Sequence, residues 1–376
     1  MAKNILIVGG GIAGLSLAIA LARRGWSPEI VEANPAWGVY GVGIILQSNA
    51  LRAIDGLGLA ERCLDAGFPY SITRYCDRQG TLLHEQKKPN LSGERFAAST
   101  GMLRPALHEI LRSEALSLGV RVKVGVRVES LEQDGRVHVT LSDGTRGSHD
   151  LLVGADGVRS QIRGLVFGAG HQPAYMGQSC WRFTVPRPPE VSCAVMVRGP
   201  NTQAGLIPLN RERMYLLLLT AEPGNPWMDK ARLRELLAAR LDGYGGLIGE
   251  LARAIPPSEE IVYSPLEPLL MPGPWHRGRV VLVGDAAHAT TPHIAQGASM
   301  AFEDAVVLSE LIDGSDDLDT ALPAFTRRRY ERCRMIVENS LQIGRWQLQA
   351  WSGQPDPGED IAGLSGRTLE ALRAAL

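Results

Sequence analysis

The chain has 376 residues and a formal net charge of −1, since 39 lysines and arginines almost balance 40 aspartates and glutamates. Its 45% hydrophobic and 21% charged residues are typical of a folded globular protein, and its length allows two domains. The even charge balance argues against a nucleic-acid partner, and five scattered cysteines with no C-x-x-C pair predict neither a disulfide framework nor a zinc site. We therefore expect a cytoplasmic protein that binds no metal.

The first apolar stretch, Ile5 to Ala22, has the length of a signal peptide or a short membrane span. Glycines interrupt it, and two arginines follow it where only Lys3 precedes it, which reverses the charge order of a signal peptide. We predict neither export nor a membrane location.

This stretch instead has the pattern of a dinucleotide-binding unit. The apolar strand Asn4–Val8 leads into the motif Gly9-Gly10-Gly11-Ile12-Ala13-Gly14, which fits G-x-G-x-x-G. A helix then runs to Gly25, and a second strand, Ser27–Val31, ends at Glu32. Strand, glycine turn, helix, second strand and terminal acid are all present in the order that this unit requires.

Each motif residue has a physical role in such a unit. Gly9 permits the tight turn, Gly11 lets the backbone approach a diphosphate, and Gly14 lets the helix pack closely on the strand. The helix N-terminus would hold the diphosphate, and Glu32 would accept hydrogen bonds from a ribose. An acid at this position favours FAD or NAD over a 2′-phosphorylated nucleotide.

The following segments do not continue the simple strand–helix alternation of an NAD-dependent dehydrogenase. In chain order we first predict a glycine-bearing loop through Gly41 and Gly43 that enters a helix near Asn49. A helix over Met102–Leu118 follows and opens with Arg104-Pro105. We then predict a strand over Val120–Val128, a hairpin turned at Ser142–Thr145, and a strand over Leu151–Val153.

Two apolar strands each deliver an aspartate at the carboxyl end, where ligands of α/β sheets bind. The strand Leu151–Val153 is followed by Gly154-Ala155-Asp156-Gly157, with Ser160 and Arg163 further on. The strand Val280–Val283 is followed by Gly284-Asp285, and then by Pro292 and Gly297 before a helix over Ala298–Ile312. A purely structural alternative is that Asp156 and Asp285 only cap the helices that follow them.

The middle of the chain, from Tyr175 to Leu270, changes to short strands separated by Pro, Gly and Asn turns. We predict an antiparallel sheet that forms a second domain, with a hairpin over Ser71–Glu85 added to it and a helix over Asp229–Leu241 covering part of it. A long amphipathic helix follows over Leu318–Trp346, with Arg327-Arg328-Arg329 on its solvated face. From Ser352 onward we expect partial disorder or packing at an interface.

The three motifs together, in this order across nearly the whole chain, resemble those of the single-component FAD-dependent aromatic monooxygenases, of which para-hydroxybenzoate hydroxylase is typical. The sequence is most similar to the branch with the salicylate, 6-hydroxynicotinate and urate hydroxylases. The resemblance implies an α/β fold with an FAD-binding Rossmann-like domain of the glutathione-reductase type, a second antiparallel β-sheet substrate domain and a C-terminal helix. The implied boundaries are 1–70, 98–172 and 277–320 for the FAD-binding domain, 71–97 and 173–276 for the substrate domain, and 321–376 for the C-terminal helical segment.

The resemblance also implies a set of cofactor contacts. Glu32, with Ala33 beside it, would hold the adenosine ribose, Val128 would lie against the adenine with its main chain, and Arg104 would reach the ribityl–diphosphate region. Asp285 would bind the ribityl hydroxyls, while Asp156 would support the diphosphate region and transient NAD(P)H docking. The flavin ring would be bordered by Gly43, Ile45, Pro292, Gly297 and Ala298. Because Gly297 and Ala298 begin a helix, their N–H groups would also stabilise negative charge on the reduced flavin.

Three side chains are candidates for substrate contacts. If their strands face the flavin, Arg182 would hold a substrate carboxylate and Tyr215 a ring hydroxyl; alternatively both point to solvent or pack between sheet and helix. His293, next to Pro292, would hydrogen-bond or deprotonate a phenol-like substrate, since imidazole titrates near neutral pH. For His288 we expect a packed or hydrogen-bonded histidine, not a catalyst.

The implied function is hydroxylation of a small aromatic or N-heteroaromatic substrate. NAD(P)H would reduce the bound FAD, and O₂ would then add to give a flavin C4a-hydroperoxide that transfers its distal oxygen. The alternative is an NAD(P)H-dependent flavin reductase or dehydrogenase of the same fold that inserts no oxygen. No second G-x-G-x-x-G and no C-x-x-x-x-C redox pair supports that alternative. We expect a monomer or homodimer with no nucleic-acid or membrane partner.

Overall fold

The structure is a computed structural model that describes residues 4–39, 41–93, 95–315 and 317–376. The strands that it describes are, in chain order, β1 (Ile5–Val8), β2 (Glu29–Glu32), β3 (Gly43–Gln47), β4 (Phe68–Tyr70), β5 (Ile72–Cys76), β6 (Leu82–Lys87), β7 (Ser99–Leu103), β8 (Arg121–Val124), β9 (Val128–Gln133), β10 (Val137–Leu141), β11 (Arg146–His149), β12 (Leu151–Gly154), β13 (Gln178–Pro186), β14 (Ala194–Arg198), β15 (Thr202–Pro208), β16 (Arg213–Ala221), β17 (Val262–Pro265), β18 (His276–Arg277) and β19 (Val280–Leu282).

The α-helices that it describes are, in chain order, α1 (Ile12–Ala22), α2 (Ser48–Gly56), α3 (Ala60–Ala66), α4 (Arg104–Ser117), α5 (Gln161–Phe167), α6 (Leu233–Leu241), α7 (Gly246–Arg253), α8 (Asp285–His288), α9 (Gly297–Asp313), α10 (Leu318–Trp351) and α11 (Ile361–Ala371). Short 3₁₀ turns occupy Lys230–Arg232, Ser258–Glu260 and Pro292–Ile294.

The first sheet has six strands in the order β18-β19-β12-β1-β2-β8. Strands β19, β12, β1, β2 and β8 run parallel, and β18 is antiparallel to β19 at one edge. Strands β1, β12 and β19 are buried along their whole length, as expected of apolar runs in a sheet covered on both faces. The predicted Rossmann-like domain is therefore confirmed.

The apolar stretch from Ile5 to Ala22 is divided between strand β1 and helix α1, both part of the largest core. Among the described residues, no helix is both long enough and apolar enough to span a membrane. The glycine turn between β1 and α1 explains why a run of this length and hydrophobicity does not form one continuous helix.

The second large sheet has seven strands in the order β17-β13-β16-β15-β14-β5-β6. It confirms the predicted antiparallel sheet of short strands with the added hairpin, and one pair of strands departs from the antiparallel arrangement. Strand β5 lies parallel to β14, with Thr73 opposite Ala194. The hairpin comes from a distant part of the chain, so no tight turn forces it to run antiparallel to its neighbour.

Helices α6 and α7 cover one face of this sheet, where the buried residues include Trp181, Phe183 and Leu237. Alternation along a strand sends Trp181 and Phe183 to this face and Arg182 to the opposite one. The opposite face of β13, β15 and β16 is consequently available to the nucleotide-binding half of the molecule.

Helices α10 and α11 pack on the core that contains β1. Phe325 and Ile336 of α10 and Leu372, just after α11, are completely buried in it. The segment after Ser352 therefore folds as a packed helix, not a disordered tail. The prediction of a solvated arginine run is wrong for Arg329, which is fully buried, whereas Arg327 and Arg328 remain on the surface.

Candidate active site

The three sequence motifs meet at one edge of the six-stranded sheet, because β1 pairs with β12 and β12 pairs with β19. Gly9 has a φ of +111°, and a Cβ atom on it would lie 2.4 Å from the carbonyl oxygen of Ala155. A Cβ atom on Gly284 would lie 2.8 Å from Cβ of Ala13. The first motif therefore packs directly against both of the later ones.

The G-x-G-x-x-G turn has the geometry that its residue types predict. A Cβ atom on Gly14 would lie 1.9 Å from the carbonyl oxygen of Gly9, so helix α1 can pack here only without a side chain. A Cβ atom on Gly11 would meet no described protein atom within 4 Å, so this residue offers bare backbone on its outer side. Gly11 is also the N-cap of α1, where N–H groups favour an anion.

Glu32 lies beside the same turn. Its Oε2 accepts a hydrogen bond from the N–H of Gly10 at 2.8 Å, and its Oε1 accepts one from the N–H of Asn34 at 2.7 Å. Ala33, between them in sequence, is exposed. The carboxylate is thus fixed at the end of β2, next to the place where Gly11 presents its backbone.

Two aromatic residues support this turn, and the sequence reasoning did not identify either. Trp37 donates a hydrogen bond from Nε1 to the carbonyl oxygen of Gly10 at 3.0 Å, and Nε2 of His108 lies 3.1 Å from the same oxygen. The two rings meet edge to face with centroids 5.9 Å apart. Both residues lie far from the motif in sequence, so no local pattern could have connected them to it.

Asp156 supports the start of helix α5, whose N-cap residue is Ser160. One carboxylate oxygen accepts a hydrogen bond from the Ser160 hydroxyl and the other from the N–H of Ile162 at 3.0 Å. This is the structural alternative stated above, and a role toward a diphosphate or NAD(P)H stays a prediction. Val128 is similarly engaged, since its carbonyl oxygen accepts a hydrogen bond from Gln161 at 2.8 Å, and its contact with adenine also stays a prediction.

Arg163 joins the second motif to the third. Its guanidinium is buried and donates from Nη1 to the carbonyl oxygen of Ala286 at 3.0 Å and from Nη2 to that of Val158 at 2.7 Å. This side chain therefore sets the distance between the turns after β12 and β19.

The third motif rests on a buried aspartate from α9. Oδ2 of Asp304 accepts hydrogen bonds from the N–H of Gly284 at 2.9 Å and from Nε2 of His288 at 2.6 Å. His288 is fully buried and also contacts the Trp275 ring, which confirms its expected structural role. Asp285, the next residue after Gly284, keeps its side chain exposed at the sheet edge.

A buried ion-pair network extends from Asp304. Arg329 donates from Nε to Asp304 at 2.8 Å and from Nη1 to Glu303 at 2.7 Å, and Arg332 contacts the second oxygen of Glu303 at 2.8 Å. The side chains of Arg329, Glu303 and Asp304 are at most 1% exposed. His288, Asp304 and Cys333 bring three potential metal-ligand atoms within 4.8 Å of one another, but the Arg329 cation already neutralises this group.

The network also reaches the start of helix α9. Oε1 of Glu303 accepts a hydrogen bond from Asn49 at 2.9 Å, and Asn49 in turn contacts Oε1 of Gln296 at 3.0 Å. Gln296 is the N-cap of α9, which begins at Gly297 as predicted, with Ala298 half-buried beside it. The first N–H groups of this helix have no intrahelical acceptor, and no described side chain caps them.

The turn before α9 carries Pro292 and His293. Pro292 begins a 3₁₀ turn and is exposed, and Ala295 ends that turn with a φ of 54°, a left-handed conformation that non-glycine residues rarely adopt. Such backbone strain is characteristic of binding and active sites.

His293 has protein partners at both ring nitrogens. Nδ1 lies 2.8 Å from the Thr291 hydroxyl and Nε2 lies 3.1 Å from Oε1 of Gln347. Because Oε1 of Gln347 can only accept, Nε2 carries the proton and Nδ1 accepts from Thr291. Burial lowers the pKa of His293 to about 4, so the ring is neutral at pH 7. Its role as a catalytic base stays a prediction.

Gln347, the partner of His293, is joined to two further glutamines, and none of the three is predicted from the sequence. Gln347 of α10 accepts a hydrogen bond from Gln178 of β13 at 3.1 Å and donates one to Gln203 of β15. A Cβ atom on Gly344 would lie 2.9 Å from the His293 ring, so this glycine brings α10 up to the sheet. The available sequence signal was Gln347 itself, a polar residue one turn after Ile343 on the apolar stripe of α10.

The second sheet places Arg182 and Tyr215 on the side of the nucleotide motifs. Tyr215 is buried against β3, and a Cβ atom on Gly43 would lie 2.1 Å from its ring. Ile45 of the same strand packs in the cluster that contains Tyr215. Burial raises the pKa of Tyr215 above its ordinary value, and nearby Arg182 opposes this only in part. Tyr215 is therefore a neutral phenol at pH 7, and the alternative that it points to solvent is excluded.

Arg104 connects this face to the third motif. Burial and the nearby Arg182 cation lower the pKa of Arg104, while Asp285 and Tyr215 raise it. Nε of Arg104 and Nε of Arg182 are both buried without a hydrogen-bond partner among the described residues. Two adjacent cations with unused donors fit a site for an anionic or electron-rich ligand.

These features fit FAD. The bare backbone at Gly11 and the start of α1 suit its diphosphate. The chain between diphosphate and ring suits the unused donor of Arg104 and the exposed carboxylate of Asp285. The first N–H groups of α9 suit the polar edge of the flavin. The described residues therefore offer complementary groups for the diphosphate, the connecting chain and the flavin edge of the cofactor.

Comparison with known proteins agrees with this geometry. A family model for the FAD binding domain matches residues 2–315. The chain is 35% identical to the 2-heptyl-3-hydroxy-4(1H)-quinolone synthase of Pseudomonas aeruginosa over 93% of this chain and 91% of that protein. It is 31% identical to the 3-hydroxybenzoate 6-hydroxylase of Polaromonas naphthalenivorans over 91% of this chain and 87% of that protein.

A solved structure shows the same fold. The Klebsiella pneumoniae protein HpxO, complexed with FAD and uric acid, superimposes with a TM-score of 0.83 and 26% identity, covering 99% of this chain and 92% of that one. Together these similarities favour the monooxygenase over the flavin reductase alternative. The chain belongs to the FAD-binding family of aromatic-ring monooxygenases and is an FAD-dependent enzyme of this type.

Proposed function

We propose that the enzyme uses NAD(P)H and O₂ to hydroxylate a small, electron-rich aromatic or N-heteroaromatic ring between the second sheet and the start of α9. The observation that carries the proposal is the position of Arg182 and Tyr215, which the second sheet directs toward Arg104 and Asp285 of the nucleotide half. The quinolone and hydroxybenzoate relatives support a ring that carries an ionisable oxygen.

Bound flavin supplies the oxygen-transfer chemistry, and the protein supplies binding, orientation and exclusion of water. Arg182, with its unused Nε donor, would hold an anionic substrate oxygen or carboxylate. Tyr215 would donate a hydrogen bond as a neutral phenol, because its raised pKa keeps it protonated.

His293 would act on the substrate only by giving up one of its present partners. Its protonated Nε2 contacts Gln347, and its Nδ1 contacts Thr291. If the substrate displaces Gln347 from Nε2, the imidazole can donate to a ring oxygen; if it displaces Thr291 from Nδ1, the imidazole can take a proton. The second arrangement corresponds to the base role predicted for His293.

We further propose that Glu32 holds the adenosine ribose and that Asp285 binds the ribityl hydroxyls. The same proposal includes NAD(P)H as a transient co-substrate, a cytoplasmic location, a monomeric or homodimeric state, and the domain boundaries given above. The hydrogen bond from Gly10 to Glu32 supports the ribose contact, because it fixes the carboxylate next to the helix that would hold the diphosphate.

The proposal is tested on protein loaded with FAD. NADH or NADPH oxidation is followed with a panel of hydroxylated benzoates, pyridines and quinolones, and products formed under ¹⁸O₂ are analysed by mass spectrometry. We expect oxidation to be stimulated by at least one ring and one ¹⁸O atom to enter the product. Oxidation that no ring stimulates, with no labelled product, would support the flavin reductase alternative.

A matched pair of arginine variants tests the site itself. Arg182→Met should lower kcat/KM for a ring with an anionic substituent by at least tenfold, since a charge-assisted hydrogen bond is lost. Arg198→Met changes an exposed arginine on β14 of the same sheet and should leave kcat/KM unchanged. Equal kcat/KM values for both variants would contradict the assigned role of Arg182.

A further inference from the structure

Two buried amide side chains, Gln47 and Asn49, bind the turn that precedes helix α9. Gln47 ends β3 and is 3% exposed, and Asn49, in the first turn of α2, is completely buried. Nε2 of Gln47 donates to the carbonyl oxygen of Ile294 at 3.0 Å. Nδ2 of Asn49 donates to Oε1 of Gln296 at 3.0 Å, and Nε2 of Gln296 donates back to Oδ1 of Asn49 at 3.2 Å. The turn is therefore bound on each side of Ala295.

The orientation of the Asn49 amide follows from its third contact. Oε1 of Glu303 accepts a hydrogen bond from Nδ2 of Asn49 at 2.9 Å. Burial alone would raise the pKa of this carboxyl, but its ion pairs with Arg329 and Arg332 hold the pKa below the ordinary value, so at pH 7 it is ionised and can only accept. The donor Nδ2 must therefore face Glu303, which leaves Oδ1 as the acceptor for Gln296.

The residue between the two contacts has a strained backbone. Ala295 has a φ of 54°, and a residue with a Cβ atom keeps such a conformation only where the surrounding structure enforces it. Gln47 and Asn49 come from one strand–helix junction and contact the residues directly before and after Ala295. Without these hydrogen bonds the turn could relax, and the start of α9, one residue after Gln296, would move with it.

The bound turn leads directly into the first N–H groups of α9. Because Asn49 binds the side chain of Gln296, this N-cap residue makes no capping hydrogen bond to the described residues of α9, and the N–H groups stay available to a ligand. Ser299, in the first turn of the helix, is fully buried, and its hydroxyl has no hydrogen-bond partner among the residues that the structure describes. Unpaired polar groups in a buried place call for a partner outside the chain.

We propose that Asn49 and Gln47 are positioning residues for the flavin, which hold the turn before α9 so that the first N–H groups of this helix stabilise the reduced, negatively charged cofactor. The inference rests on the flavin position that the proposed function uses, and it assigns neither residue a contact with the substrate. Both residues thereby raise the reduction potential of bound FAD, because they favour the reduced form over the oxidised form.

The test measures the midpoint potential of bound FAD against a reference dye under anaerobic conditions, together with a fluorescence titration of oxidised FAD. In Asn49→Ala we expect reduced FAD to lose about tenfold more affinity than oxidised FAD, which lowers the potential by about 30 mV for this two-electron couple. An equal loss of affinity for both redox forms would show that Asn49 only supports the fold, and it would overturn the proposal.

Asn339→Ala is the matched control. This half-buried amide also joins two helices, since its Nδ2 donates to the Thr368 hydroxyl of α11 at 2.8 Å, but it does not contact the turn before α9. We expect an unchanged potential in this variant. A shift equal to that of Asn49→Ala would mean that any lost interhelical amide changes the potential, and it would contradict a specific role for Asn49.

A substitution at Ala295 tests the link between the amides and the helix. Glycine adopts a φ of 54° without a Cβ penalty, so the turn should keep its shape in Asn49→Ala/Ala295→Gly. We expect this double variant to recover most of the wild-type potential and Ala295→Gly alone to leave it unchanged. A double variant with the full shift of Asn49→Ala would contradict strain at Ala295 as the link.

Gln47→Met keeps the proposal falsifiable if Asn49→Ala does not fold. It removes the donor to Ile294 at similar side-chain volume and should lower the potential in the same direction, so an unchanged potential would overturn the role of Gln47. The measurement uses neither an aromatic substrate nor O₂, which separates it from the proposed function. Lowered potentials with no ring hydroxylated would support the positioning role and contradict the proposed function. Hydroxylation by the wild type with unchanged potentials in both variants would support the proposed function and exclude the positioning role.

Discussion

Gly43 and Tyr215 are in direct van der Waals contact across the boundary between the two halves of the molecule, and a Cβ atom on Gly43 would lie 2.1 Å from Cδ1 of the tyrosine ring. Gly43 begins β3, on the nucleotide side, and Tyr215 lies on β16 of the second sheet. The contact therefore fixes how closely the sheet approaches the predicted flavin position.

Replacing Gly43 by alanine should force these two elements apart. We expect Gly43→Ala to lower the free energy of unfolding by about 1–3 kcal/mol, the usual cost of overpacking, and to reduce hydroxylation. Gly56→Ala is the matched control, since a Cβ atom there meets no described atom within 4 Å. In a double-mutant cycle, Gly43→Ala should cost less unfolding free energy in a Tyr215→Ala background than in the wild type; an equal cost in both backgrounds would show that the tyrosine contact is not the cause.

Two glycines of the first motif should separate folding from cofactor binding. Gly14→Ala places a Cβ atom 1.9 Å from the Gly9 carbonyl, and we expect loss of stability with or without FAD. Gly11→Ala meets no described protein atom, so the apoprotein should keep its melting temperature while its FAD affinity falls. Thermal unfolding of apoprotein and holoprotein, with a fluorescence titration of FAD, measures both effects. Unchanged FAD affinity in Gly11→Ala would contradict diphosphate binding at this turn.

Substitutions of the two motif aspartates should also separate an effect on folding stability from an effect on FAD binding. Asp156→Ala removes the acceptor of the Ile162 N–H in the first turn of α5 and of the Ser160 hydroxyl, and we expect a loss of about 0.5–2 kcal/mol in unfolding free energy. Asp285→Ala changes an exposed carboxylate, so stability of the apoprotein should be nearly unchanged while FAD dissociates at least tenfold more readily. Denaturant unfolding and FAD titration of both variants check this. The assignment fails for Asp285 if its variant retains FAD like the wild type.

The buried ion pairs of Arg329 should contribute strongly to stability. Arg329→Met leaves Glu303 and Asp304 buried with one cation fewer, and breaking such a pair costs about 3–5 kcal/mol. Arg328→Met is the matched neighbour, whose partially exposed pair with Glu310 is worth at most about 1 kcal/mol. Urea unfolding of the two variants gives the comparison, and similar midpoints would show that the network adds little.

His293 should make stability depend on pH in a defined window. Its pKa of about 4 in the folded state is below the ordinary value of 6.5, so below pH 6.5 the unfolded chain binds a proton that the folded protein does not. Stability contributed by the neutral ring is therefore complete above pH 6.5 and falls as pH decreases toward 4, by at most about 1.4 kcal/mol per pH unit. His293→Gln should lose this part of the dependence, as measured by urea unfolding between pH 4 and pH 8. Parallel pH profiles for the variant and the wild type would contradict a neutral, buried His293.

Local sequence patterns identified most of the nucleotide half, because the glycine turn, helix and acid of the first motif are adjacent in the chain. The same reasoning could not find what depends on distant partners. Arg329 reads as part of a solvated arginine run, and only Glu303 and Asp304, more than 20 residues earlier on α9, explain its burial. Asp156 is predicted to contact the cofactor, and only the structure shows that its carboxylate also accepts hydrogen bonds from Ser160 and Ile162 at the start of α5.

The second sheet shows the same limit. Alternating strands predicted its existence, but the parallel pairing of β5 with β14 joins segments about 120 residues apart, for which no turn sequence sets a direction. Gln347 became recognisable only when helix α10 brought it to His293 and Gln178. Which side chains face a substrate ring depends on the register of these strands. The substrate contacts of Arg182 and Tyr215 could therefore be predicted only together with the alternative that both point elsewhere.

The packing of Leu372 against the core that contains Ile5 has a consequence for biosynthesis. Arg332 and Arg52 donate to the backbone carbonyl oxygen of Leu372, so the core around the first sheet includes a residue some 370 positions after β1. During translation, strand β1 must leave the ribosome long before its neighbour β12 and the core residues of α10 and α11 exist. We expect the nascent nucleotide-binding half to depend on chaperones until Leu372 has emerged, and ribosome-bound chains stalled before this residue to be readily digested by protease.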